Sequence, residues 1–295
     1  MPKLNNFLVL GSKGMLGQEI VRQIKAADFD VTAWDKDELD ITDKKVMEEK
    51  ISKLNPEVII NCVAYNDVEK AEGEGKEMAF KINSEAVGDL AKIAAKLGAL
   101  LVHYSTDYVF DGAKIDGYTE SDMPNPLSQY GKSKLAGEKE ILKVKNLKYY
   151  IIRTSRLFGP AGGLPTGQAG GKISFVEKML ERAKSPEPIE VINEVVSTPT
   201  YVVDLARATI EMINNQAPFG LYHRSNSGQA TWYEWAKKIF ELAGQEAKLA
   251  PVSAAKFNFI APRPANSVLL STKLPPMRKW EDALKEYIKI FNFPT

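Results

Sequence analysis

The feature that most constrains this chain is the alternation of short β-rich runs with longer helical patterns across residues 6–155. "NFLVLG" (6–11) reads as a strand and "GMLGQEIVRQIKAA" (14–27) as a helix. "DVTAW" (30–34) is the next strand, followed by a polar helix near 43–54. "EVIINCVA" (57–64) is almost wholly apolar, as expected of a strand buried on both faces. A helical stretch over 76–97, a strand at "ALLVHYS" (99–105), a helix over 125–142 and a strand at "KYYIIRTS" (148–155) complete the series. Strands that alternate with helices become parallel neighbours joined by right-handed crossovers. The pattern therefore predicts a doubly wound parallel α/β sheet of the Rossmann type.

After Ser155 the rhythm breaks. "GPAGGLPTGQAGG" (159–171) is rich in glycine and proline and reads as a loop or lid. Helices are expected over 173–184, 202–214, 231–243 and 279–291, with strand-like runs at "IEVIN" (189–193) and "GLYHRS" (220–225). These shorter, irregular elements predict a dinucleotide-binding domain over 1–155 and a smaller, mainly substrate-binding lobe over 156–295, with some segments returning to the sheet. No internal repeat is present.

Composition narrows the function. With 44% hydrophobic and 26% charged residues in 295, the chain has the makings of a large buried core. A formal net charge of +1 provides no general attraction to nucleic acid or to an anionic membrane, so local groups must hold any anionic ligand. No apolar run approaches the roughly 20 residues of a membrane span, and "MPKLNNFLVLGSKG" lacks the apolar core and cleavage site of a signal peptide. Cys62 is the only cysteine, which rules out an intrachain disulfide and suits a cytoplasmic location. His103 and His223 are the only histidines, so a histidine-rich zinc site is excluded and no metal is assigned. A carboxylate site for magnesium stays open, as does a homodimer.

Three motifs carry chemistry. Gly11, Gly14 and Gly17 in "GSKGMLG" fall between the first strand and the first helix, where a tight turn lets backbone approach a pyrophosphate. The spacing GxxGxxG points to the short-chain dehydrogenase/reductase variant of the fold; a purely structural turn is the plainer alternative. Asp35, after the second strand, is placed to accept hydrogen bonds from an adenosine ribose, and Lys36 beside it would tolerate a 2′-phosphate, so both NADH and NADPH are expected. "STDYVFDG" (105–112) brings Thr106 and Asp107 to the carboxyl end of a strand, where open sheets bind ligands.

The third motif, "NPLSQYGKSKLAGEKEIL" (125–142), sets Tyr130 and Lys134 four residues apart on a helix that Asn125 is expected to cap, with Pro126 in its first position. A neighbouring ammonium would lower the phenol pKa and make a proton donor. Such a pair is equally at home on the wet face of any helix.

These motifs, with "LDITD" (39–43), "INCVAYNDVEKAE" (60–72), "RTSRLFG" (153–159), "STPTYVVDLA" (197–206), "TWYEWAKKIF" (231–240) and "RPANSVL" (263–269), resemble the dTDP-4-dehydrorhamnose reductases of the extended short-chain dehydrogenase/reductase family along nearly the whole chain. The resemblance implies a catalytic set of Thr106, Tyr130 and Lys134. It implies cofactor contacts from Met15, Leu16, Asp35, Asp40, Ile41, Ala64, Tyr65, Asn66 and Lys134. It also implies contacts from Thr106, Asp107 and Tyr130 to a dTDP-linked 4-keto sugar, with Arg263 assisting at the pyrophosphate. Two departures bear on the sugar: Arg156, expected to stack on or pair with the bound nucleotide sugar unless it is a solvated arginine at a strand end, stands where the family commonly has tryptophan, and the loop over 159–171 is longer. A related nucleotide-sugar reductase or epimerase is therefore a rival reading. So is a non-catalytic subunit resembling the β subunit of methionine adenosyltransferase.

Overall fold

β1 (Asn6–Leu10) leads through α1 (Met15–Ala26) to β2 (Asp30–Trp34), and α2 (Lys44–Leu54) leads to β3 (Val58–Asn61). α3 (Lys76–Phe80) and α4 (Ala86–Leu97) precede β4 (Leu100–Thr106), and α5 (Gln129–Leu142) precedes β5 (Lys148–Thr154). The computed structural model describes residues 5–160 and 173–290; most of the expected lid over 159–171 lies outside the described residues. The second half contributes β6 (Leu157–Phe158), α6 (Phe175–Arg182), β7 (Ile189–Ile192), β8 (Val196–Ser197) and β9 (Thr200–Tyr201). It continues with α7 (Val202–Asn214), β10 (Gly220–His223), β11 (Ala230–Thr231), α8 (Trp232–Ala243), β12 (Leu249–Val252) and α9 (Trp280–Ile290).

Side chains that alternate along each strand build two cores, one on either face of a six-stranded sheet ordered β10-β5-β4-β3-β1-β2. Phe7, Val9, Val58, Ile60, Val102 and Ile152 face one way, toward α1 and α7. Their neighbours Leu8, Leu10, Ile59, Leu101 and Ile151 face the other way, toward α2, α4 and α5. All pairings in this sheet are parallel, and the chain reverses its direction of travel between β1 and β3. Two segments beyond Ser155 belong to this layer structure: α7 packs on α1, and β10 extends the sheet beside β5. A third core, rich in aromatic rings (Phe158, Tyr201, Trp235, Phe240, Trp280, Tyr287), fills the C-terminal lobe, which is held by two-stranded ladders.

Three local expectations are corrected. The helix carrying Tyr130 starts at Gln129, not near Asn125: the Ser128 hydroxyl accepts the Gly131 N–H and caps it, while the Asn125 side chain donates to Asp111. The strand expected over 57–64 ends at Asn61, whose side-chain oxygen accepts the Val63 N–H and turns the chain. The helix over 76–97 is interrupted by a π-turn at Lys81–Glu85.

Candidate active site

The sheet's reversal between β1 and β3 opens a crevice at the strands' carboxyl ends, and the glycine turn fills its floor. Gly11 has φ +74°, and a Cβ there would meet the Val63 nitrogen at 2.9 Å. A Cβ on Gly17 would stand 2.1 Å from the Gly11 carbonyl oxygen, so only glycine lets α1 sit this close to the turn. Gly14 precedes α1 without a side-chain cap, which leaves first-turn N–H groups open to anionic oxygens. Asp35 closes the far side of the turn, accepting the Lys13 N–H at 2.9 Å and the Lys36 N–H at 2.8 Å.

Thr106 is the last residue of β4. Its hydroxyl donates to the Asp107 carboxylate at 3.0 Å and interacts with the Tyr130 phenol. Asp107 also accepts from Ser267 at 2.6 Å; burial pushes its carboxyl up to about 6 despite these bonds and the nearby Arg156. α5 delivers Tyr130 and, one turn on, Lys134. The Lys134 side chain is almost fully buried, donating to the Tyr104 carbonyl at 2.6 Å and standing 3.5 Å from the His103 Nε2. Burial lowers its pKa to about 8, with the charge of Glu138 working the other way. His103, itself against Asn61, is held neutral by burial and by the Lys134 charge.

One expectation is reversed here. The phenol of Tyr130 is raised, not lowered, because burial outweighs the Thr106 contact and Asp107 adds negative charge nearby. The Lys134 ammonium is turned to the Tyr104 carbonyl.

A cleft of about 750 Å³ brings together Gly14, Met15, Leu16, Gly17, Ala64, Asn66, Thr106, Asp107, Tyr130, Lys134 and Arg156. Its opposite wall comes from the C-terminal lobe: Phe175, Lys178, Val195, Ser197, Trp232 and Trp235. Arg156 stands on that wall, with backbone φ +40° and its guanidinium 4.0 Å over the Trp232 ring. It donates to the Ala230 and Val195 carbonyls at 3.0 and 2.9 Å. It is thus neither a freely solvated strand-end arginine nor a wholly uncommitted one.

Other expected residues lie apart from the cleft lining. Asp40 accepts from the Thr42 N–H and hydroxyl, and Ile41 is buried in the core beside α2. Tyr65 is fastened through its backbone to Asn83. Arg263, expected at a pyrophosphate, pairs with Glu69 at 2.6 Å and stacks on Phe259.

Sequence reasoning missed Asn83, whose amide ties the Tyr65 backbone to Ser133 on α5 from within the π-turn. Nothing in its spacing distinguishes it from any helical asparagine. It also missed Trp232 and Ser267, which reach the cleft only through tertiary folding. Among the described residues no group of three or more His, Cys, Asp or Glu side chains is gathered to hold a metal ion, and no helix is long and apolar enough to cross a membrane.

A phenol and a lysine delivered by one helix to the switch point of a parallel sheet, facing a glycine turn, is the arrangement of the short-chain dehydrogenase/reductase class. Within it, the chain belongs to the RmlD substrate binding domain family, whose model matches residues 5–293. It is 35% identical to the spore coat polysaccharide biosynthesis protein SpsK of Bacillus subtilis, over 97% of this chain and 98% of that one. It is 31% identical to the dTDP-4-keto-6-deoxy-D-glucose reductase of Streptomyces niveus, covering 98% of both. The crystal structure of a dTDP-4-dehydrorhamnose reductase from Bacillus anthracis in complex with NADP superposes with a TM-score of 0.89 at 33% identity, covering 98% of this chain and 99% of that one.

Proposed function

We propose that the chain is an NAD(P)H-dependent reductase acting on carbon 4 of a dTDP-linked 4-keto-6-deoxy sugar, converting dTDP-4-dehydro-L-rhamnose to dTDP-L-rhamnose. The observation that carries this is the meeting of Thr106, Tyr130 and Lys134 above a glycine turn in one cleft. The relatives' names support the substrate class, since two of them act on dTDP-4-keto sugars or their products.

The site fits a dinucleotide. Gly11 and Gly17 leave a cradle that a Cβ would fill, the open N–H groups of α1 suit a pyrophosphate, and Asp35 suits a ribose. When bound, the reduced nicotinamide supplies hydride. The chain's own groups manage the charge that appears on the ketone oxygen. Tyr130 donates its proton to that oxygen as general acid, and its raised pKa keeps the proton in place until an alkoxide, a stronger base, develops. The Thr106 hydroxyl turns its single proton from Asp107 to the same oxygen. Lys134 is an ammonium at neutral pH and offsets the charge left on Tyr130. The lobe wall holds the nucleotide end of the substrate and so keeps the ketone in place.

The experiment is a panel of 4-keto nucleotide sugars assayed for loss of NADPH absorbance. The dTDP-4-keto-6-deoxy sugar is expected to consume one equivalent. Turnover of the sugar without net loss of cofactor would mean an epimerase, and binding without turnover would favour the regulatory-subunit reading.

A further inference from the structure

Behind the reacting groups lies an ion pair that does not line the cleft. Arg153 and Glu138 have side-chain exposures of 3% and 2%, and meet through two bonds, Nε to Oε1 at 2.9 Å and Nη2 to Oε2 at 2.6 Å. The Ser105 hydroxyl donates to the same Oε1 at 2.5 Å. Burying such a pair is seldom worth much stability: apolar residues of equal volume commonly do as well or better. Its location suggests a different use.

Glu138 follows Lys134 by one helical turn and Tyr130 by two, and all three are on α5. Ser105 sits between Tyr104, whose carbonyl takes the Lys134 ammonium, and Thr106. Arg153 is the cross-strand partner of Ser105 in β5. The pair therefore fastens the helix that carries the acid and the lysine to the strand end that carries the threonine.

We propose that Glu138, held in place by Arg153, is a positioning residue of the reaction: it fixes α5 against the end of β4 and sets a carboxylate one helical turn from Lys134. The inference rests on the roles given above to Tyr130 and Lys134. Around Lys134 stand Cys62 beyond β3, His103 and the Tyr104 carbonyl on β4, and Tyr130 and Glu138 on its own helix, with the Arg153 guanidinium of β5 paired to Glu138. His103 is neutral and the buried Cys62 thiol is held protonated, so Glu138 is the carboxylate that opposes the cost of burying Lys134. The sign follows directly. Lys134 serves as an ammonium, so activity is lost as pH rises through its pKa, and without Glu138 that loss comes at lower pH.

Glu138→Gln alone strands the Arg153 charge in the core and invites unfolding. Glu138→Gln/Arg153→Met removes both charges at similar volume and avoids this. Lysine-selective 13C NMR of the unliganded protein reads the outcome without substrate. Exposed lysines titrate near ~10.4, and Lys134, assigned by its absence in Lys134→Met, is expected to titrate near about 8. In the double variant we expect that midpoint to fall measurably, by less than loss of the carboxylate alone would cause because the opposing Arg153 charge goes with it, with the falling limb of kcat moving alongside it and NADPH affinity at pH 6 unchanged. Glu138→Asp, which keeps the charge, should restore most of the midpoint. A Lys134 midpoint that stays in place in the folded double variant overturns the proposal, even if the melting temperature drops. Lack of NADPH oxidation by the wild-type chain would instead sink the reductase reading, and the NMR midpoint would still decide the hold of Glu138 on Lys134.

Discussion

The two walls of the cleft are held by different forces. On the sheet side, Thr106, Asp107 and Lys134 each sit in directional hydrogen bonds of 2.6–3.0 Å, fixed by strand register and helix phase. On the lobe side, rings pack: Phe175 meets Trp232 edge-on and Trp235 at a tilt, each at 4.7 Å, and Arg156 lies over Trp232 at 4.0 Å. Hydrogen bonds fix single atoms, as proton transfer requires. Packed rings offer broad surface with looser direction, which suits holding a nucleotide. The contrast teaches that loss of a sheet-side group should appear in kcat, and loss of a lobe-side group in KM.

Tyr130→Phe should have the largest effect. It keeps the ring and its edge contact with Tyr108, so turnover should fall by about 10²–10⁴ while the Kd for NADPH, read by fluorescence, stays put. Near-normal turnover would remove Tyr130 from its role and dissolve the contrast.

Arg156→Ala comes next. A contact to bound sugar nucleotide made in ground and transition states alike would raise its KM by about tenfold with kcat nearly constant. The carbonyls of Ala230 and Val195 lose their donors, so the melting temperature should drop as well. A matching fall in kcat would put Arg156 nearer the reacting carbon and blur the division between the walls.

Asp107 probes the sheet wall through pH. Its folded pKa of about 6 lies above the unfolded value because burial disfavours the carboxylate. The folded state therefore holds its proton more tightly, and stability falls as pH rises from about 4 to about 6. Asp107→Asn cannot ionise, so its melting temperature relative to wild type should climb across that window and level off above it. A flat difference between pH 4 and 7 would show that Asp107 is not strained by ionisation.

Asp35→Ala should have the smallest effect. If Asp35 meets the ribose as proposed, removing its carboxylate lessens repulsion of a 2′-phosphate, so the ratio of kcat/KM for NADPH over NADH should rise a few-fold, on the order of one fewer like-charge contact. An unmoved ratio would detach Asp35 from the ribose and leave it as the anchor of the Lys13 N–H alone.

What the sequence disclosed follows the same division. The sheet half was legible because short apolar runs, as in "NFLVL", alternate with longer helical patterns, although which side chains face which core shows only in the fold. The glycine turn, Thr106 and Tyr130 lie at strand or helix ends, which such patterns locate, and Lys134 follows Tyr130 by one helical turn. The lobe was legible only as a list of elements. Its walls are made by β8 pairing with β11 and β7 with β12, contacts between segments far apart in sequence that no local period announces. The direction of the Tyr130 pKa escaped for a related reason: helix spacing shows that a lysine is near, but burial is a property of the whole fold. The cap at Ser128 was missed because Asn125 and Pro126 imitate a helix start three residues too early.

The most direct test of the account is to measure kcat and the sugar-nucleotide KM for Tyr130→Phe and Arg156→Ala side by side, at saturating NADPH and one pH. Opposite signatures are expected: kcat collapses with KM held in the first, and KM rises with kcat held in the second. If both variants move the same parameter, the division of labour between the sheet wall and the lobe wall is wrong.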